Sequence, residues 1–322
     1  MHKVCFVLRV LCAVSLIGLQ AGCITINLLE PSGPVQEVQL SGTGDGKVLL
    51  LDFSGLISSQ DKDGLIPQPN MLATFKEELT RAAKDEKVKA VVVRINSPGG
   101  TVTASDIMYH ELKEFKSKKK VPVIASMMDV AASGGFYLAM ASDTVLVHPS
   151  TVTGSIGVIM LTVNAKGLLE KVGVEASAIT SGLRKDMGSP FRTMTPEERA
   201  IFQSVIDSFY QRFLSVVQAG RPNLSAEQIK RLADGRIYSG EQAKAAGLVD
   251  DIGYLDDALE LAKKMAGLTE ARIVTYGRRG EYQNNIYSRL FATNTGLASV
   301  ANLDLLSIVR GGTPQFMYLW MP

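Results

Sequence analysis

The sequence predicts an α/β fold with a parallel sheet, made of repeated strand–helix units and followed by a mainly helical second half. Three observations carry this reading. Short runs rich in Val, Ile and Leu recur at residues 48–53, 90–95, 121–125, 144–147 and 158–163. Strands covered on both faces read this way, because neither face meets water. Amphipathic stretches lie between them, first Leu72, Phe75, Leu79 and Ala82, then Met108, Leu112 and Phe115. Strand alternating with helix implies parallel pairing through crossover helices. The third observation is a series of helix-start signals after residue 190.

Those signals are specific. Thr195-Pro196-Glu197-Glu198 is a capping box with Pro at the first helical position, and Ile201, Val205, Phe209 and Phe213 follow it. Ser225 with Gln228 and Ser239 with Gln242 repeat the pattern, and Gly247 is a C-terminal stop. Residues 23–46 hold Pro31, Pro34 and several Gly and Ser without periodicity, which reads as a tether. Residues 266–322 form a C-terminal extension of unassigned role. Its apolar close at 316–320 covers a neighbour, lines a groove or touches lipid.

The chain has 322 residues, 46% hydrophobic and 20% charged, the profile of a folded globular protein. Residues 1–22 read as a signal peptide, with Lys3 and Arg9 ahead of a ten-residue uncharged run at 10–19. That run is too short to span a bilayer, which takes ~20 residues. It ends in Leu19-Gln20-Ala21-Gly22-Cys23, similar to a lipoprotein signal, with Gln20 where an aliphatic residue is usual. Cleavage after Ala21 and an uncleaved anchor at 4–19 are the rival readings. The cysteines are Cys5, Cys12 and Cys23, so processing leaves Cys23 alone, in the place lipidation needs it. Beyond the signal the chain holds 32 basic and 32 acidic residues, so charge gives no case for nucleic acid.

Two segments could carry chemistry. Asn96-Ser97-Pro98-Gly99-Gly100-Thr101 leaves a buried strand, and its glycines free backbone N–H groups to meet a ligand oxygen. It lacks the spacing of a P-loop or a dinucleotide fingerprint. Asp129–Tyr137 sets Ser133 among small residues at a strand-to-helix junction. Such a serine is either an N-cap or a nucleophile whose oxyanion meets free N–H groups, with Gly134 and Gly100 as donors. A nucleophile needs a base. His2 lies in the signal, His110 inside a predicted helix and His148 at the end of a strand. Lysine serves only where burial favours its neutral form. Lys185 stands between Arg184 and Asp186, a polar setting that by itself does not single it out.

Taken together, five blocks resemble the signal peptide peptidase A (protease IV) family in order and spacing. They are the turn at 96–100, residues 131–137, Thr153-Gly154-Ser155-Ile156-Gly157, Lys185 with its flanks, and Asp234–Gly240. The similarity covers about residues 47–265, expected to be the peptidase domain. It implies a crotonase/Clp-like fold and a membrane-associated serine endopeptidase with Ser133 as nucleophile and Lys185 as general base. Gly100 and Gly134 fall where the family places its oxyanion donors. Implied too are leftover signal peptides and other unfolded apolar peptides as substrates, a homo-oligomeric ring, and the periplasmic side of a bacterial membrane. No metal or cofactor is assigned. A Clp-type Ser-His-Asp triad would need a histidine near Val158, and none is there. The alternative of another class is a non-catalytic membrane scaffold or quality-control protein keeping the fold.

Overall fold

The structure, a computed structural model, describes residues 35–60, 70–278, 284–288 and 315–321. Three long parallel strands, β2 (Lys47–Ser54), β3 (Val88–Ser97) and β5 (Val123–Ala132), form the middle of its main sheet. Their apolar runs are buried on both faces, as the sequence predicts. Leu49, Leu51 and Phe53 pack on one side, Val48 and Leu50 on the other.

β6 (Thr144–Val147) and β10 (Asp251–Ile252) extend the sheet at one edge in parallel. At the other edge β11 (Arg272–Gly277) runs parallel to β2, and β1 (Gln36–Ser41) closes antiparallel on β11. Near the far end of β5, β7 (Val152–Gly154) pairs with it in parallel and β9 (Ile237–Ser239) pairs antiparallel with β7.

One face of the sheet is covered by α1 (Met71–Lys84), α2 (Val102–Lys119) and α3 (Gly134–Ala139), with α5 (Pro196–Gly220) packed outside them. The other face is covered by α8 (Leu255–Met265), whose Leu255, Ala258, Leu259 and Ala262 meet Val48, Ala90, Val92 and Ile124. Between β7 and α5 lies the short α4 (Lys166–Lys171), and α6 (Ala226–Leu232) and α7 (Gly240–Ala245) flank β9. The three capping boxes read from the sequence form at Thr195, Ser225 and Ser239.

Three expectations change. Residues 36–41, expected within the tether, form a sheet strand, and Val35 beside them is buried. The Pro- and Gly-rich composition on either side hides the alternation that makes this strand. The folded body also runs past residue 265, because β11 lies between β1 and β2. The apolar run at 158–163 contributes only β8 (Ile159–Met160). Residues 1–34, with the signal and Cys23, lie outside the described residues.

Candidate active site

The turn after β3 is built by its own polar groups. The Ser97 hydroxyl donates to Gly55 O at 2.7 Å and accepts the Gly99 amide at 3.1 Å. Gly99 has φ +101°, a conformation that side-chain-bearing residues avoid. β4 (Gly99–Thr101) is then gripped from one side by Ile57, whose N–H donates to Gly99 O (2.8 Å) and whose carbonyl accepts Thr101 N–H (3.0 Å). Gly100 between them faces the other way.

Ser133 sits at the end of β5, immediately before α3, with φ +52° and ψ −112°. A non-glycine residue there is strained by roughly 1–3 kcal/mol and persists only where its surroundings enforce it. The enforcement is visible. Ser133 N–H donates to Gly154 O at 2.7 Å, and its carbonyl accepts Tyr137 N–H at 2.8 Å. The residue is fully buried, yet its Oγ has no hydrogen-bond partner among the described residues. The N-cap reading of this serine therefore fails, since no side-chain cap bond forms.

The two turns interlock. A Cβ on Gly134 would meet Ser105 Oγ at 2.5 Å and Ile57 Cδ1 at 2.9 Å, and one on Gly135 would meet Ser97 O at 2.7 Å. A Cβ on Gly99 would lie 2.7 Å from Gly134 N and 1.9 Å from Tyr318 O. The Gly99 end of the first turn thus lies against the Gly134 amide of the second, next to Ser133 in the chain.

Tyr318 comes from β12 (Phe316–Leu319), the C-terminal strand, which lies antiparallel between β4 and β8. Trp320 N–H donates to Pro98 O at 2.9 Å. Antiparallel pairs alternate, so two residues back Tyr318 and Gly100 face each other as a hydrogen-bonded pair. The Gly100 N–H points at the Tyr318 carbonyl.

Lys185 is not brought to Ser133. It is exposed, in a turn closed by its own N–H to Gly182 O, and its ammonium makes no hydrogen bond or ion pair among the described residues. Arg192 ties this turn to α5, bonding both carboxylate oxygens of Asp186 (2.7 and 2.8 Å) and reaching Glu198. Along the same stretch Leu168, Val172, Ile179 and Leu183 are more than half exposed. His148 is engaged elsewhere, with Nδ1 against Ser150 Oγ and its ring on the edge of Tyr254.

Residues 114–269 match the model of peptidase family S49, and residues 68–153 match that of Clp protease. A protein of Enterococcus faecium named for signal peptide peptidase SppA is 38% identical over 242 residues, 75% of this chain and 70% of that one. The chain belongs to peptidase family S49. Serine protease SPPA of Arabidopsis thaliana, a chloroplast protein, is 36% identical across 72% of this chain and 34% of its own length. Protease 4 of Salmonella typhi is 36% identical across 63% of this chain and 32% of its own. The protein is thus a serine peptidase, on the α/β fold its sequence predicts.

Sequence reasoning missed part of the surroundings of Ser133. Tyr137, one turn beyond Ser133, donates its hydroxyl to Asp106, which also takes an ion pair from Arg212 at 2.9 Å. Burial first, then the Asp106 bond, push the Tyr137 phenol well above its ordinary range, so it stays a donor. The Tyr318 ring stacks on it at 5.1 Å. Only the apolar character of residues 316–320 hinted at this.

Proposed function

We propose that this S49 peptidase is a membrane-associated endopeptidase in which Ser133 is the nucleophile and Lys185 the general base. Its substrates are cleaved signal peptides and other unfolded apolar peptides on the outer side of a bacterial inner membrane. Cys23 carries the lipid that holds it there. Among the described residues no helix is long and apolar enough to cross a membrane.

The observation that carries the reading is Ser133 itself, strained, buried and with an Oγ that has no partner among the described residues. The chemistry follows from that setting. Ser133 Oγ attacks the scissile carbonyl as its proton passes to the Lys185 amine. The oxyanion is met by the N–H groups of Gly100 and Gly134. The proton then goes to the leaving amine, and water hydrolyses the acyl-enzyme by the reverse route.

Among the described residues of one chain no basic side chain bonds Ser133. The exposed apolar segment around Lys185 supports its delivery by a neighbouring copy, which would bury both the apolar side chains and the amine. Head-to-tail repetition of that contact closes a ring. Cleavage of a denatured apolar polypeptide is the test. Ser133→Ala and Lys185→Ala should each lose activity to background, and His148→Ala should stay within a few-fold. An inactive His148→Ala beside an active Lys185→Ala would refute the dyad.

A further inference from the structure

We infer that Asn96 is the positioning residue that aims Ser133, by holding a bulge in β5 that turns this strand from β6 onto β7. The inference rests on the peptidase reading above and deepens it, because it adds a residue that acts through the nucleophile without touching substrate.

β3 and β5 run in parallel register from Val91 opposite Val123 to Ile95 opposite Met127. The next pair is Ser97 with Ala131, so Met128, Asp129 and Val130 stand against Asn96 alone. β5 therefore carries two residues more than its partner at this point. Bulges of this kind re-aim a strand and recur beside active sites. An insertion of two residues keeps the side-chain alternation, and Met127 and Ala131 face the same core. What changes is the neighbour. Up to Met127 β5 pairs with β6, and from Val130 to Ala132 it pairs with β7. Ser133 follows directly, with its amide on Gly154 O.

A bulge strips backbone groups of their ladder partners, and here two side chains replace them. The Asn96 carboxamide works as an extra peptide unit. Its oxygen accepts the Val130 N–H at 3.1 Å, and its NH2 group donates to Asp129 Oδ2 at 3.2 Å. The buried Thr151 hydroxyl donates to the carbonyls of Met127 and Met128. The backbone of Asn96 reaches the other half of the site. Its carbonyl accepts the Gly55 N–H at 2.9 Å, two residues before the Ile57 that grips β4. One residue thus sets the spacing between the Gly99–Gly100 turn and the strand that ends in Ser133.

The chemistry explains the residue type. A carboxamide offers an acceptor and a donor side by side. Aspartate would accept the Val130 amide but set its second oxygen against the Asp129 carboxylate. Leucine would fill the volume and take the acceptor away from the Val130 N–H. A displacement of about 1 Å at a reacting group costs on the order of a hundred-fold in rate.

Three full-length variants test this: Asn96→Ala, Asn96→Asp, and Asn96→Asp combined with Asp129→Asn, which exchanges acceptor and donor between the two positions. Steady-state cleavage of a fluorogenic apolar peptide is measured for each. Both single variants should lower kcat roughly ten- to hundred-fold with KM within about two-fold. The exchanged pair should return to within about five-fold of the unaltered protein, because the bond between the two side chains is restored. Amide hydrogen exchange, read by mass spectrometry, should quicken over residues 128–133 in the single variants, stay unchanged over 88–95, and slow again in the exchanged pair. An exchanged pair as slow in catalysis as Asn96→Asp, a loss confined to KM, or quickened exchange throughout the molecule in all three variants overturns the inference. So does exchange over 128–133 that ignores Asn96→Ala, and where the unaltered protein still cuts peptide the peptidase reading stands. The expected exchange pattern in a protein that cleaves nothing keeps the positioning and sinks the peptidase reading.

Discussion

The amide of Ser133 donates to the carbonyl of Gly154 across 2.7 Å, so the end of strand β7 holds the strained serine in place. Gly154 itself has φ +83°, and a Cβ there would meet Tyr238 Cδ2 at 2.5 Å. Gly154→Ala should cost about 1–3 kcal/mol of stability. It should also lower kcat/KM more than ten-fold by releasing Ser133. Denaturant unfolding and steady-state kinetics on the same preparation check both. Full activity in a destabilised protein would show that this bond does not hold the nucleophile.

Separation of Lys185 from Ser133 within one chain leads to a complementation result. Ser133→Ala and Lys185→Ala protein, each inactive, are mixed under conditions that let subunits exchange. About one contact in four then pairs an intact serine with an intact lysine, by the directionality of a head-to-tail interface. Roughly a quarter of wild-type activity should return. Background activity, with mixed assemblies confirmed by mass spectrometry, would place both residues in one chain.

The Arg192 clamp predicts a response to acid. Its hydrogen bonds hold the carboxyls of Asp186 and Glu198 below their ordinary values. Depressed carboxylates stabilise the clamp above their unfolded values, ~4, and lose that contribution as pH falls through the folded values. Hydrogen exchange across residues 182–192 should therefore quicken below about pH 4. In Arg192→Ala it should be fast at neutral pH, with no acid step, and peptidase activity should drop several-fold while the melting temperature barely moves. Unchanged exchange in that variant would mean the clamp does not order the Lys185 turn.

Arg94 is 1% exposed and bonds Asp52 through Nε at 2.7 Å and Ser288 O through Nη2 at 2.7 Å. Arg94→Ala leaves Asp52 unpaired in the interior and should destabilise by about 3–5 kcal/mol. Arg94→Met with Asp52→Leu should recover most of the loss, because no charge is then stranded. Chemical denaturation of the three proteins decides. A double variant as unstable as the single one would mean that packing against residues 284–288, not charge pairing, dominates.

The proposed lipidation of Cys23 predicts a mature chain that begins there. Two or more acyl chains anchor a protein stably without a spanning helix. Intact-mass measurement of the membrane fraction should show the adduct. A mature start at Gly22, or an intact Met1, would exclude it.

Much of this protein is legible in the sequence because it depends on near neighbours. Two-sided apolar runs specify β2, β3 and β6, and caps at Thr195, Ser225 and Ser239 specify where helices begin. Small residues around Ser133 and the Pro98-Gly99-Gly100 turn mark a tight backbone in which a serine and free amides meet. What only the tertiary structure decided involves residues far apart along the chain. Whether Ser133 caps its helix or stands free depends on the Gly154 carbonyl and on what surrounds Oγ. The seating of β12 between β4 and β8, with Tyr318 on Tyr137, pairs strands some two hundred residues apart. Local periodicity carries no record of such a partner, since a short apolar run satisfies any groove that can bond its backbone and bury alternate side chains. The same reason left Lys185 undecided: its sequence neighbourhood states that it is polar, and only the fold shows that its amine stands clear of Ser133 within one chain.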